Sequence, residues 1–256
     1  SFKIPFMEWK HFRWLIYAVI VVVLMTRANS CSQTLLSDSP YQKFKLHVPG
    51  SYSAKLFDIA NARKKELITF NKTEETFDKF ELIANARFDL MDLVEKELFP
   101  HWYDTKYDFN GTTETPGEGK IACGYFVTTV LRDIGVPIKR VKMAQAASET
   151  MIKNLVDEDL IKRFNRVSIK KFVHDVEDMG EGLYIVGLDT HAGFLFYDGV
   201  ELRMIHSTGR KPKRVINEKA MTSLSLIRSK YKVVGKVSDD EDLIKRWLYN
   251  TTLDEN

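Results

Sequence analysis

One cysteine and two distant histidines are the residues of this sequence that could together perform nucleophilic chemistry. Cys123 lies between a glycine-rich approach and an apolar pattern that is typical of an amphipathic helix. A thiol at a helix N-terminus is favoured as the thiolate, because the macrodipole and the free N–H groups stabilise negative charge there. The same N–H groups can receive the oxyanion of an acyl-transfer reaction. The pattern therefore favours a nucleophile, with a buried and inert cysteine as the alternative.

The base is expected from a β-hairpin. Asp198 and Gly199 separate two alternating apolar stretches, which predicts a two-residue type I′ turn. In that register His191 pairs directly with His206, on one face and about 5 Å apart at Cβ. Two adjacent imidazoles suit a general base and the group that orients it. A pair of structural or metal-binding histidines is the alternative interpretation.

A zinc site is the competing use of one cysteine and two histidines. Such sites usually have short ligand spacing and a fourth ligand or water. Cys123 and His191 are 68 residues apart, so we expect neither a metal site nor a cofactor.

The elements that must position these side chains follow a helices-then-strands order. Helical patterns cover 57–67 and 75–98, with Pro100 expected to end the second. The helix that begins at Cys123 is expected to end at Gly135 and Pro137. Further helical patterns cover 142–155 and 239–248, and strands are expected at 183–188, 192–197, 200–206 and 230–237. This order predicts an α+β fold, with an N-terminal helical part that carries the nucleophile packed on an antiparallel sheet.

The N-terminal segment is typical of an export signal. Residues 14–25 form a run of 12 apolar residues behind a basic stretch, which is shorter than the roughly 20 residues of a bilayer-spanning helix. Small residues lead into Cys31 and resemble the lipobox of bacterial lipoproteins, in which the cysteine is acylated. We expect a lipoprotein-type signal at 1–30, a tether or lead-in at 31–53 and a single domain at 54–256. An ordinary cleaved signal or a retained short anchor is the alternative.

The charge balance excludes an extended nucleic-acid surface. The chain carries a net charge of +3, and residues 1–30 account for that excess. The remainder holds 34 basic and 34 acidic residues, without the concentrated basic face that nucleic acid requires. The run RKPKR at 210–214 is its only basic cluster, and a solvated loop is its simplest interpretation.

Three segments of the sequence resemble conserved segments of the NlpC-like superfamily of cell-wall cysteine peptidases. YDFNGTTETPGEGKIACGYFVTTVLRDIGVP is similar to the family's nucleophile segment, THAGFLFYDG to its first histidine strand and MIHSTG to its third polar position. The resemblance covers residues 107 to about 216. It implies a papain-like core in which Cys123 is the nucleophile, His191 the general base and His206 its orienting group.

The same resemblance implies a substrate and a location. Tyr107 and Gly124 would border the substrate, and the family cleaves amide bonds in peptidoglycan stem peptides. A lipid-anchored protein of the bacterial envelope would meet that substrate. The family usually has Asp-Cys-Ser-Gly where this chain has Ala122-Cys123-Gly124-Tyr125, and the segment 152–182 is enlarged. These departures indicate a divergent branch, for which an amide other than a stem peptide is the alternative substrate.

Two alternatives differ from a peptidase in what they predict. A transglutaminase-like acyl-transfer enzyme would also place a cysteine at a helix start. It would require an aspartate downstream of a histidine strand. An exported lipoprotein that retains the fold without catalysis would leave Cys123 unreactive.

Overall fold

The computed structural model describes residues 49–73 and 76–250. The expected export signal, Cys31 and most of the predicted tether lie outside these described residues. Within them, no helix is both long and apolar enough to cross a membrane.

Nine α-helices occur in the described residues, joined by shorter helical turns. They are α1 (Pro49–Lys72), α2 (Thr76–Asp92), α3 (Phe99–Trp102), α4 (Cys123–Ile134), α5 (Arg140–Ala144), α6 (Ser148–Lys153), α7 (Ile169–Glu177), α8 (Leu224–Arg228) and α9 (Glu241–Tyr249). A π-helical segment, Leu93–Leu98, connects α2 to α3, and 3₁₀ turns occupy Glu158–Leu160, Ala220–Thr222 and Val237–Asp239.

Eight strands form two sheets in the same part of the chain. They are β1 (Lys106–Tyr107), β2 (Lys120–Ile121), β3 (Ile161–Asn165), β4 (Gly182–Leu188), β5 (Ala192–Tyr197), β6 (Leu202–Ser207), β7 (Val215–Lys219) and β8 (Tyr231–Lys236). Strands β1 and β2 pair in parallel, and the other six form one sheet in the order β3-β8-β4-β5-β6-β7. Every neighbouring pair in the large sheet is antiparallel. The predicted α+β class with an antiparallel sheet is confirmed.

Two apolar clusters cover the two faces of the large sheet. On one face α4 packs through Phe126, whose ring meets that of Phe194 on β5 at a centroid distance of 5.9 Å. On the other face Leu195 of β5 and Met204 of β6 join the cluster that contains Phe172 of α7. Because side chains alternate along a strand, each residue's parity decides which cluster it joins.

The helical boundaries differ from the sequence prediction in two places. Helix α1 begins at Pro49, so the last residues of the predicted tether at 31–53 are helical. Pro100 does not end the second helical pattern, which continues through the π-helical segment into α3. Pro100 lies in the first turn of α3, directly after the π-helical segment.

The register predicted for the histidine hairpin is wrong. Tyr197 pairs with Leu202, so residues 198–201 form a four-residue loop in place of the predicted two-residue turn. The carboxylate of Asp198 accepts hydrogen bonds from the backbone N–H groups of Val200, at 3.0 Å, and Glu201, at 2.9 Å. This side-chain turn lengthens the loop. The slip is two residues and therefore keeps every side chain on its predicted face.

Candidate active site

Cys123 is the first residue of α4, as its sequence context predicted. Ala122 precedes the helix in an extended conformation, and its carbonyl accepts the first helical hydrogen bond, from the N–H of Phe126 at 2.8 Å. The N–H groups of residues 123–125 are therefore not used within the helix. The Cys123 thiol is half-buried, so it lies beside free donors while a reactant can still reach it.

A hydrogen bond attaches the start of α4 to the end of β6. The hydroxyl of Ser207 donates to the carbonyl oxygen of Ile121 at 2.7 Å, and both groups are buried. Cys123 follows Ile121 by two residues, and His206 precedes Ser207 by one. The hydrogen bond therefore brings the segment that carries Cys123 to the end of the sheet where β6 stops and β5 begins.

Gly124 is required by packing against α5. A Cβ at this position would lie 2.6 Å from the carbonyl oxygen of Ala144. The peptidases that the sequence resembles have serine at this position, and α5 leaves no room here for a serine side chain. The structure thus gives the departure at Gly124 a steric cause.

The two histidines form a direct contact. The Nε2 atom of His191 lies 2.6 Å from the Nδ1 atom of His206, and the rings meet edge to face. Continuing the observed register by one residue from Phe194 and Ile205 places Gly193 opposite His206, so the two histidines are diagonal neighbours. A Cβ at Gly193 would lie 2.8 Å from the His206 Cβ, so the glycine gives the imidazole its space.

A third residue extends the pair. The Nε2 atom of His206 lies 3.1 Å from a carboxylate oxygen of Glu218 on β7. His206 is buried and Glu218 is partly exposed. We call His191, His206 and Glu218 the relay. Glu218 was not predicted from the sequence, because β7, the strand that carries it, was not predicted either. The Gly and Pro residues of 208–214 do indicate a turn, which another strand could follow.

The charge of Glu218 sets the proton positions along the relay. Burial raises the pKa of Glu218, but hydrogen bonds from His206 and Ser223 outweigh it and hold the pKa below its usual value. An ionised Glu218 requires Nε2 of His206 to carry a proton and donate it. In a neutral ring Nδ1 then accepts, so Nε2–H of His191 donates to it. This assignment, made from the hydrogen-bond network, leaves Nδ1 of His191 with a free lone pair.

His191 is neutral at physiological pH. Burial, the neighbouring His206 and the cationic Arg210 lower its pKa from 6.5 to about 3. A neutral imidazole with a free Nδ1 can accept a proton. A thiolate beside the His191 ring would oppose these effects, because its negative charge favours the protonated imidazole.

Tyr107 lies next to both Cys123 and the loop that follows β6. Partial burial and the nearby Cys123 and Asp108 raise the pKa of Tyr107. A Cβ on Gly209 would lie 2.9 Å from the Tyr107 ring. The predicted substrate-binding position of Tyr107 is thus at the same end of the sheet as the thiol.

The predicted site residues are brought together to different degrees. His191 and His206 are in contact, and Cys123 and Tyr107 lie at the same end of the sheet. Within the described residues, Cys123 makes no hydrogen bond to either histidine. The thiol comes from the face covered by α4, while His206 shares the opposite face with Met204.

No metal centre is evident in the part of the chain that the structure describes, since no group of three or more His, Cys, Asp or Glu side chains there could hold an ion. The chain matches no protein-family model, no curated protein and no solved structure.

Proposed function

We propose that this protein is a thiol hydrolase that cleaves an amide bond, with Cys123 as nucleophile and His191 as general base. The observation that carries the proposal is the relay, which ends in a neutral imidazole at the end of the sheet where α4 presents Cys123. The proposal includes the papain-like arrangement that the sequence resemblance implies. Peptidoglycan stem peptides in the bacterial envelope are the proposed substrate, and acylated Cys31 the proposed membrane anchor.

The first half of the reaction forms a thioester. Nδ1 of His191 takes the thiol proton, and the sulfur of Cys123 attacks the carbonyl carbon of the substrate amide. Negative charge moves to the carbonyl oxygen, which the free N–H groups at the start of α4 can receive. As the C–N bond breaks, protonated His191 delivers its proton to the leaving amine.

The second half regenerates the thiol. Neutral His191 takes a proton from a water molecule, and the resulting hydroxide attacks the thioester carbonyl. The C–S bond breaks, the carboxylic acid leaves and the proton returns to sulfur. Glu218 and His206 keep Nδ1 of His191 free to accept a proton in both halves, because an ionised Glu218 favours one tautomer of the pair.

Alkylation of Cys123 by iodoacetamide across pH tests the proposal. Trypsin releases residues 121–132 as one peptide, so mass spectrometry can follow this thiol separately from Cys31. We expect reaction well below the free-thiol pKa of about 8.5. His191→Ala should move the profile towards that value, whereas His174→Ala, on the exposed surface of α7, should not.

A profile centred near 8.5 in the unmodified protein, and unchanged in His191→Ala, would overturn the Cys-His assignment. Incubation with purified muropeptides then addresses the substrate. Release of a new amine terminus by the unmodified protein, absent in Cys123→Ala, is the expected result. If the alkylation profile is as expected but muropeptides are not cleaved, the stem-peptide substrate is contradicted and the Cys-His assignment is not.

A further inference from the structure

The loop between β6 and β7 is attached directly to the segment that carries Tyr107. The N–H of Tyr107 donates to the carbonyl oxygen of Lys213 at 2.9 Å, and Lys106 forms a β-bridge with Arg214. Arg214 also donates to the carboxylate of Asp104 at 2.9 Å. These contacts hold the loop beside the candidate active site.

The loop is also ordered by its own hydrogen bonds. The N–H of Thr208 donates to the carbonyl of Arg214 at 3.0 Å, and the N–H of Arg210 donates to the Thr208 hydroxyl at 3.1 Å. Gly209 lies against the Tyr107 ring, where a Cβ would meet it at 2.9 Å. Arg210 therefore leaves the sheet at a defined point, one residue beyond the contact with Tyr107.

Four cations of this region are free of acidic partners. Within the described residues, Lys106, Arg210, Lys211 and Lys213 form no ion pair, and all four are exposed. We call these four residues the basic rim. Two neighbouring cations are already paired, Arg214 with Asp104 and Lys120 with Asp108.

The charge of the region is unusual for this chain. Segments 103–109, 117–121 and 208–214 together hold six basic and three acidic residues, whereas residues 31–256 are balanced. Glu118 is the one acidic residue of these segments without an ion pair in the described structure. Arg210 is also close enough to His191 to disfavour its protonated form. Positive charge is thus concentrated beside the histidine that would act as base.

We propose that the basic rim binds a carboxylate of the substrate, with Arg210 as its main contact, while the scissile carbonyl lies at Cys123. An arginine guanidinium presents a planar fork that matches a carboxylate, and the flanking lysines add unpaired charge. This inference rests on the proposed function and specifies its substrate as an acidic amide. Arg210 acts here as a specificity-determining residue.

A pair of alkylating agents tests the inference at the thiol itself. Iodoacetate and iodoacetamide react alike, with sulfur displacing iodide, but only iodoacetate carries a carboxylate. At low ionic strength we expect the iodoacetate-to-iodoacetamide rate ratio at Cys123 to exceed that of free cysteine. Arg210→Glu should lower the ratio about fivefold, and 0.5 M salt should lower it in the unmodified protein, since screening weakens the attraction.

Two variants and one reagent separate the possible results. Arg210→Lys keeps the charge and should keep most of the ratio, and Lys170→Glu, on α7, should leave it unchanged. If the iodoacetate-to-iodoacetamide rate ratio is equal in the unmodified protein and Arg210→Glu, the basic rim does not bind a carboxylate. This conclusion holds even where iodoacetamide alone shows a reactive Cys123. Failure of the proposed function would be seen with iodoacetamide alone. The pH profile of the Cys123 alkylation rate would then be centred near 8.5, and His191→Ala would not change it.

Discussion

Glu218 determines which nitrogen of each histidine carries its proton. Without a carboxylate at the end of the relay, His206 could donate from either nitrogen, and His191 could turn its N–H towards the thiol. With Glu218 ionised, the order is fixed as donation from His191 to His206 to Glu218. In the proposed mechanism the carboxylate acts on the thiol through two imidazoles, as a positioning residue.

Replacement of Glu218 tests this positioning role. Glu218→Ala should lower the iodoacetamide rate of Cys123 at pH 7 about tenfold, because a charge-assisted hydrogen bond worth about 1.5–3 kcal/mol is lost. The rate in Glu218→Gln should lie between those of the unmodified protein and Glu218→Ala, because the glutamine amide oxygen can still accept a hydrogen bond from His206. The measurement is the alkylation rate of the tryptic peptide that contains Cys123.

Glu201→Ala is the matched control, because Glu201 is a more exposed glutamate that pairs with Lys219 at the neighbouring strand end. Surface pairs of this kind contribute little, so its rate should equal that of the unmodified protein. An unchanged rate in Glu218→Ala would show that the carboxylate has only a structural role.

The sequence predicted the contact between the two imidazoles but not Glu218, the third member of the relay. Cysteine and histidine are rare, so their contexts can be examined one by one, and Cys123 stood at a recognisable helix start. Glutamate is common on any surface. Nothing in the local sequence of Glu218 distinguishes it until the pairing of β7 with β6 is known.

At the level of elements, the histidine contact survived an error in the predicted register. The Asp198 side chain lengthened the turn, so the predicted direct pair became a diagonal pair. Imidazole side chains are long enough to meet across a diagonal, and the even slip preserved their common face. The alternation of a strand could therefore be predicted, whereas a turn set by one side-chain hydrogen bond could not.

Short or irregular elements were the ones that sequence periodicity failed to find. The edge strand β3 and the strand β7 each have five residues, which is too short for a clear alternation. The π-helical segment 93–98 continues an apolar helical pattern in which only the hydrogen-bond spacing changes. Helices α4 and α9 were predicted almost to the residue, since each combines an apolar face with a clear terminal signal.

The packing of α4 against α5 gives a prediction opposite to helix propensity. Gly124→Ala and Gly124→Ser would each place a Cβ 2.6 Å from the Ala144 carbonyl oxygen. Both should lower the free energy of unfolding by about 1–3 kcal/mol, the usual cost of overpacking, although alanine is the better helix former. Urea denaturation measures the effect. A stability equal to or above that of the unmodified protein would mean that α5 can move away.

Over the whole molecule, the N-terminal helices hold the end of α4 that is remote from the thiol. The hydroxyl of Tyr52 on α1 donates to buried Asp133 at 2.6 Å, and Arg63 donates to the carbonyl of Gly135 at 2.9 Å. Asp133 follows Cys123 by ten residues, about 15 Å along a helix. The contacts of α1 therefore fix the direction of α4 and leave its N-terminus to the loop segments around Tyr107.

The pH dependence of stability should contain two opposing contributions from distant parts of this fold. Burial and the neighbouring carboxyl of Asp89 raise the pKa of Glu66 on α1 from 4.5 to about 7. Between these values the folded protein holds a proton that the unfolded chain releases, so stability falls as pH rises. His191 has its pKa lowered from 6.5 to about 3. Between those values the unfolded chain binds the extra proton, so stability rises as pH rises.

The two contributions overlap and oppose each other between pH 4.5 and 6.5. Relative to the unmodified protein, Glu66→Gln should therefore gain stability as pH rises through this window, and His191→Gln should lose it. Each difference has an upper limit of about 1.4 kcal/mol per pH unit, reduced because both side chains are partly exposed. Urea denaturation at pH 4.5, 5.5, 6.5 and 7.5 measures the slopes. The double variant should restore the slope of the unmodified protein, because the two residues lie in separate parts of the molecule and their effects should add. Parallel curves for all four proteins would contradict both pKa shifts, that of Glu66 and that of His191. If only one single variant changes the slope, the pKa shift of the residue replaced in the other variant is contradicted.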